Sequence, residues 1–272
     1  MSALLNGGPL DAAQLAHSRA LHYGDGVFRT LLVWQGQALD LPAHLDKLAH
    51  DAQRIGLAAP PRALIEREAG ELAAGQPSAV LKIILASQAG SRGYRPGTDA
   101  CDRLLLRYAS PQHPQDHWRR GIRLFRSEVQ LAEQPLLAGI KHLNRLEQVL
   151  ASRNWPDGAD EGILCDRAGR PVGGTRTNLF WVAGGELLTP ALETCGVEGI
   201  MRNKIIEIAR SLQVSCRVGM QPWAALEAAG EMFVSNAVIG LWPVRQLEAQ
   251  TLAAPGPVTS RLMAALGHPL GN

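Results

Sequence analysis

Two neighbouring stretches, "GVFRTLLVW" (26–34) and "LPAHLDKLAHDAQRIGL" (41–57), decide how this chain reads. The first is apolar and β-branched and predicts a strand. In the second, Leu41, Leu45, Leu48, Ala52 and Ile55 recur at three- and four-residue steps, which gathers one apolar stripe on a helix that Gly56 stops. The alternation continues outward. An alanine-rich helix is expected over 61–74, and strands at "AVLKIILA" (79–86) and "RLLLRYA" (103–109), with the glycine-rich loop "GSRGYRPG" (90–97) between them. Strands flanking helices predict a first α/β domain over residues 1–109.

The stretch "SPQHPQDHWRRG" (110–121) is polar, holds two prolines and breaks both periodicities, so it reads as a linker. Beyond it, 122–272 reads as a second mixed domain. Strands are expected at 122–129, 162–166 and 178–182, and helices at 143–153 and 199–212. In the first of these helices Leu143, Leu146, Val149 and Leu150 share one face. "EMFVSNAVIGLWPV" (231–244) reads as a strand, a polar break at Ser235–Asn236, and a second apolar segment. The fold class is therefore α/β (α+β) with two domains.

Composition narrows the function. Of 272 residues, 46% are apolar and 19% charged, the profile of a packed globular protein. The 27 basic and 25 acidic residues are interspersed and sum to +2, with no basic block to track a nucleic-acid backbone or an anionic membrane. Cys101, Cys165, Cys195 and Cys216 form no C-x-x-C pair and have no histidine at ligand spacing. Free thiols in a reducing cytoplasm and no metal site are expected. No leader pattern opens the sequence and no apolar run is long enough to span a bilayer. His44 and His50 lie six residues apart on one helix and do not share a face.

Four features can carry chemistry. Lys141 follows Gly139–Ile140 at the expected entrance of a helix, where a cation is disfavoured. The plainer reading is a solvated helix-flanking lysine. The alternative is a partly desolvated amine, which has a lowered pKa and forms a Schiff base with a carbonyl group. In "CGVEGIMR" (195–202) a glycine precedes a helix, leaving the backbone N–H groups of Ile200 and Met201 for an anion; an ordinary loop glycine explains it equally. In "VSNAV" (234–238), Ser235 and Asn236 either satisfy a bend or offer donors to a phosphate. Arg92 and Tyr94 stand between glycines on a loop, and a guanidinium fork suits a carboxylate. No nucleophilic triad order, zinc helix, Walker loop or dinucleotide fingerprint is present.

Taken in order, "YGDGVFRT", "HLDKL", "SRGYRP", "GIKHLNRLEQVLA", "GGTRTNLF", "GVEGIMR" and "SNAVIGLWPV" resemble the fold-type IV pyridoxal-phosphate enzymes over nearly the whole chain. That family includes branched-chain and D-amino acid aminotransferases and aminodeoxychorismate lyase, and "GIKHLNRLEQVLA" with the "SNA…WPV" ending is most like the lyase. The resemblance implies the two-domain D-amino acid aminotransferase-like fold, a homodimer, and pyridoxal 5'-phosphate at the domain interface. It makes Lys141 the lysine that holds the cofactor. Ile200 and Met201 become its phosphate-binding helix start, with Ser235, Asn236 and Ala237 as a second donor segment and Thr30 as a catalytic neighbour. The lyase reaction turns 4-amino-4-deoxychorismate into 4-aminobenzoate and pyruvate for folate synthesis. Its substrate carries two carboxylates, which suits Arg92 and Tyr94 to the substrate.

Three positions depart from the family pattern. Lys47 replaces a phosphate-binding arginine and cannot make the bidentate fork. Arg29 stands where many members have glutamate. Gly173 stands where the family's Glu-Gly-Thr-x-x-Asn-Leu-Phe places the carboxylate that keeps the pyridine nitrogen protonated. Without that carboxylate a buried ring nitrogen loses its proton more readily, which harms transamination more than a lyase step that ends in an aromatic ring. Two other functions stay open on this basis: a small amino acid aminotransferase, and a relative with a weakened or lost cofactor site, non-catalytic or cofactor-independent.

Overall fold

The computed structural model describes residues 2–88 and 92–271. The chain divides into two compact units, the first running to Gln112 and taking in Ile140–Asn144, the second made of His113–Gly139 and the chain from Arg145 onward. The division falls at the edge of the expected linker, with two differences. Lys141, expected in the C-terminal domain, belongs to the first unit. The 110–121 stretch is not a bare linker, because it carries a helical turn whose Trp118 is buried and donates its indole N–H to the Ile239 carbonyl at 2.9 Å.

In the first unit the elements are β1 (Ser2–Leu5), α1 (Ala12–Ala16), α2 (Arg19–Tyr23), β2 (Gly26–Trp34), β3 (Gln37–Ala38), α3 (Leu41–Arg54), α4 (Arg62–Ala73), β4 (Ser78–Ser87) and β5 (Cys101–Ala109). The strands form one antiparallel sheet in the order β1-β5-β4-β2-β3. Alternation along β2 and β4 sends Val27, Leu31, Val33, Leu81, Ile83 and Leu85 to one face, where they pack on Leu45, Leu48 and Ala52 of α3 and Ile65, Ala69 and Leu72 of α4. Gly56, with φ of +79°, ends the α3 region as expected. The opposite face carries a smaller cluster of Phe28, Ile84 and Ala86 with Leu104, Leu106 and Leu143.

Residues 140–144 return to this sheet. The Phe28 N–H donates to the Lys141 carbonyl at 2.9 Å and the Leu143 N–H to the Gly26 carbonyl at 2.9 Å. Gly26 permits the approach, since a Cβ there would lie 2.5 Å from the Leu85 carbonyl oxygen and 2.8 Å from Leu143 Cδ1.

In the second unit the elements are α5 (Asp116–Arg119), β6 (Ile122–Gln130), α6 (Leu146–Ala151), β7 (Glu161–Cys165), β8 (Pro171–Gly174), β9 (Asn178–Ala183) and β10 (Glu186–Thr189). They continue with α7 (Ile200–Ser211), β11 (Cys216–Val218), α8 (Ala224–Glu227), β12 (Glu231–Asn236), β13 (Gly240–Leu247), β14 (Gln250–Thr251) and α9 (Pro257–Leu266). Its sheet runs β11-β10-β9-β12-β13-β6-β7-β8, with β14 beside β13. Strand β6 is parallel to both β13 and β7. Trp181 and Trp242 fill one core cluster, and Phe180 stacked on Phe233 fills another. Helix α6 is shorter than its periodicity predicted. Leu143 leaves it for the first unit's sheet, while Leu146, Val149 and Leu150 are 65%, 47% and 46% exposed.

Candidate active site

Lys141 is not a helix-flanking lysine. Its backbone is extended against β2, and α6 begins only at Leu146. Ile140 is buried in the α3 and α4 core, and Lys141 points to the other face, with its ammonium 4.7 Å from the centre of the Phe28 ring. Alternation puts Thr30 on the face that Phe28 occupies, directly across from Lys82 on β4. Lys82 also lies over Phe28, at 4.6 Å, and burial lowers its pKa below the ordinary lysine value. Two ammonium groups thus share one aromatic ring, a cation–π arrangement beside the hydroxyl-bearing Thr30. Lys82 escaped the sequence reading, although a lysine inside "AVLKIILA" breaks the apolar run; only the strand register tells which face it serves.

The opposite face explains Arg29. Its place between Phe28 and Thr30 sends it into the core under α3, where a lone charge is strongly disfavoured. Asp51 of α3, fully buried, pairs with its guanidinium. Lys47, one helical turn before Asp51, donates to the other carboxylate oxygen at 2.6 Å. The Lys141 backbone N–H donates to the same Asp51 at 3.2 Å. Lys47, expected to serve a phosphate, therefore shares a buried carboxylate with Arg29 and with the lysine segment.

Arg92 and Tyr94 remain on their loop, whose Gly90 and Ser91 lie outside the described residues. Arg19 is buried beneath it, pairs with Asp25 at 2.8 Å, and donates to the carbonyls of Gly93 and Tyr94 at 2.8 and 3.0 Å. Tyr94 is 88% exposed, its ring edge-on to Tyr23.

In the second unit the stretch "GGTRTN" folds over Glu161. This carboxylate is fully buried and accepts from the Thr175 N–H at 3.0 Å, the Thr175 hydroxyl at 2.6 Å and the Thr177 hydroxyl at 3.1 Å. The two glycines differ in kind. A Cβ on Gly174 would stand 2.1 Å from Thr177 Oγ1 and 2.9 Å from Glu161 Cδ, so the packing requires glycine. A Cβ on Gly173 would meet the Thr177 carbonyl oxygen at 3.0 Å and Asn178 Cα at 3.9 Å, a milder approach that asks the carbonyl to give by a few tenths of an ångström. Glu161 lies beside Gly174 and is not among the atoms a Cβ on Gly173 would meet.

The expected anion segments converge through Asn178. On β9 it sits opposite Ser235 of β12, and its amide donates to the Val197 carbonyl at 2.8 Å. Its Oδ1 would be 2.2 Å from a Cβ on Gly199, so only glycine fits where α7 begins. Among the described residues no side chain caps α7, whose first residues are Ile200 and Met201; the Met201 side chain is core, leaving its backbone as the available donor. The Ser235 hydroxyl is buried without a hydrogen-bond partner among the described residues. The Asn236 side chain is engaged in its own turn, accepting from Val238 and Ile239 N–H at 2.9 and 3.0 Å, with Ala237 between.

Residues 26–247 match the model of the class IV amino-transferase family. The chain belongs to that family. It is 32% identical over 234 residues to an aminodeoxychorismate lyase of Vibrio harveyi, covering 85% of this chain and 86% of that one. The crystal structure of 4-amino-4-deoxychorismate lyase from Pseudomonas aeruginosa superposes with a TM-score of 0.92 at 37% identity, over 99% of this chain and 100% of that one. The Escherichia coli branched-chain amino acid aminotransferase shares the fold, with a TM-score of 0.87 at 23% identity, over 98% and 93% of the two chains. The expected fold is thereby established as that of fold-type IV enzymes. Among the described residues no helix is long and apolar enough to cross a membrane, and no group of three or more histidine, cysteine or acidic side chains could hold a metal ion. The four cysteines are free. Burial raises the Cys101 thiol to about 11 and raises the other three as well.

Proposed function

We propose that this chain is a pyridoxal-phosphate-dependent aminodeoxychorismate lyase that converts 4-amino-4-deoxychorismate to 4-aminobenzoate and pyruvate in folate synthesis. The observation that carries the reading is Lys141, its amine set over Phe28 on the face of Thr30 and Lys82. The two relatives named as this lyase, matched over most of both chains, point the same way.

The residues fit the cofactor at two of its three ends. Lys141 offers the amine for its aldehyde. The uncapped start of α7 and the buried Ser235 hydroxyl suit a phosphate. Gly173 leaves the ring nitrogen without the family's carboxylate. When bound, the cofactor supplies an aldehyde carbon for amines and a conjugated ring that takes up an electron pair. Lys141 Nζ then removes the proton from the substrate carbon bearing the amino group. The enolpyruvyl carbon–oxygen bond breaks, and the same amine returns a proton to the methylene carbon of the departing group. Atoms balance without water, and aromatisation draws the reaction forward. Lys82, with Arg92 on its loop and Tyr94 beside it, answers the two substrate carboxylates. Thr30 lies across from Lys82 and orients the reacting group.

The setting proposed is a cytoplasmic homodimer. The apolar stripe of Leu146, Val149 and Leu150, left exposed on α6, is the kind of surface a second copy covers. Sedimentation of wild type and Leu150→Asp tests this, with a shift toward monomer expected.

The functional test is a titration with pyridoxal phosphate followed by absorbance, borohydride reduction with peptide mapping, and an assay for 4-aminobenzoate. Reducible label at Lys141 together with product formation is expected. Label without product, but with glutamate formed from 2-oxoglutarate and an amino donor, would show an aminotransferase. Product without any cofactor uptake would show a cofactor-independent lyase, and neither label nor product a non-catalytic relative.

A further inference from the structure

The mechanism proposed above gives no task to Asp51, a fully buried carboxylate. Asp51 sits on α3 and receives three donors. Lys47 Nζ reaches one oxygen at 2.6 Å, and the other oxygen takes both the Arg29 guanidinium and the Lys141 backbone N–H, the latter at 3.2 Å. A buried aspartate needs a counter-charge, and Arg29 alone would supply it. The remaining donors are Lys47, at the family's phosphate position, and the backbone of the reactive lysine itself.

The geometry of the segment makes the third bond consequential. Residues 140–144 are held on the strand side by the Phe28 and Leu143 N–H bonds and by Ile140 in the core. Those contacts fix the segment along β2. The Asp51 bond adds an anchor from the helix, tying the Lys141 amide to the face opposite the one its ammonium occupies. A side chain with four rotatable bonds keeps its amine over Phe28 only if its own backbone is fixed.

We propose that Asp51 is a positioning residue, whose carboxylate couples Lys47 and Arg29 to the Lys141 backbone and so sets where the Lys141 amine stands. The role assigned to that amine rests on the lyase reading; the tether itself does not.

The test compares wild type, Arg29→Met, the double variant Arg29→Met/Asp51→Leu, and Asp51→Glu. Replacing a buried ion pair by apolar side chains is often neutral for folding; because the double variant also takes the Asp51 carboxylate from Lys47, 10% exposed, the melting temperature of each variant is recorded before exchange is read. Localised amide exchange, read by mass spectrometry without added cofactor, is expected to show Lys141 protected in wild type and in Arg29→Met. In the double variant it should exchange roughly 10-fold faster, as loss of a hydrogen bond to a charged acceptor implies. With pyridoxal phosphate added, the pH midpoint of the bound absorption band should move by about one unit in the double variant, a change in the amine's surroundings that folding alone does not produce. Asp51→Glu should restore part of the shift. If wild-type Lys141 exchanges like an exposed peptide, or if the double variant matches Arg29→Met in both exchange and midpoint, the proposal is wrong. If wild type gives no borohydride-stable label at Lys141, the lyase reading fails, while the exchange measurement still decides the tether.

Discussion

The two halves of the proposed chemistry are built from opposite materials. In the first unit the work is done by charged side chains: Lys141 and Lys82 over one ring, and Arg29, Lys47 and Asp51 locked behind them. In the second it is done by backbone and by neutral groups: the open start of α7, the Ser235 hydroxyl, and the glycines at 173, 174 and 199. A buried charge in this unit, Glu161, is engaged by Thr175, Thr177 and, at 3.8 Å, the Arg176 guanidinium. Groups built from such different materials fail by different routes in the two units. Loss of a ring-facing ammonium in the first unit should remove activity while leaving the fold, and addition of bulk in the second should disturb the fold first.

The sharpest way to break this contrast is Lys141→Ala. Removing the amine should lower 4-aminobenzoate formation by at least about 10³-fold, within the range a positioned acid–base group supplies, with a melting temperature close to wild type. A large drop in Tm with it would mean the lysine is structural. Next, Lys82→Met should raise KM roughly 10- to 100-fold, the value of a hydrogen bond between charged partners, with a smaller change in kcat. The pH profile gives the sign. Burial lowers the Lys82 pKa, so the group loses its charge at a pH below the ordinary 10.5 of a lysine. Wild-type KM should therefore climb on the alkaline side before that value, and the variant should lack the climb.

On the second side, Gly174→Ala forces a Cβ against Thr177 and Glu161. Overpacking of this kind destabilises by about 1–3 kcal/mol, a fall in Tm of roughly 2–10 °C. The smallest effect belongs to its neighbour. Gly173→Ala should shift Tm by no more than about 2 °C, because its φ lies outside the left-handed region and its nearest contact, the Thr177 carbonyl oxygen at 3.0 Å, has to give by only a few tenths of an ångström. Equal losses at both positions would erase the distinction between them.

Much of the fold is legible in the sequence. Strand β2 occupies the residues its alternation predicts, and α3 follows its apolar stripe to within a few residues, because both elements pack against the same core. Lys141, Ile200 and Ser235 were visible as types in context. The sequence misplaced the setting of Lys141, because the docking of 140–144 depends on Gly26, more than a hundred positions away, and on hydrogen bonds that no local pattern encodes. Asp51 was invisible for a related reason. On α3 it reads as an ordinary polar position, and its burial follows only from Arg29 being turned inward by the register of β2. The α6 stripe misled in the other direction, since its periodicity marks a face without saying what covers it. The two glycines look alike in sequence and part company only when a Cβ is placed on each.

That last difference has a consequence for how this protein can change over generations. Some glycine codons lie a single base from glutamate codons. At position 174 that step leads into a collision and closes the path. At 173 the first side-chain carbon meets the Thr177 carbonyl oxygen at 3.0 Å and Asn178 Cα at 3.9 Å, so the same step starts from a milder obstacle. Of two adjacent glycines, 173 is the one where a single base change can try a side chain without first meeting Thr177 Oγ1 and Glu161.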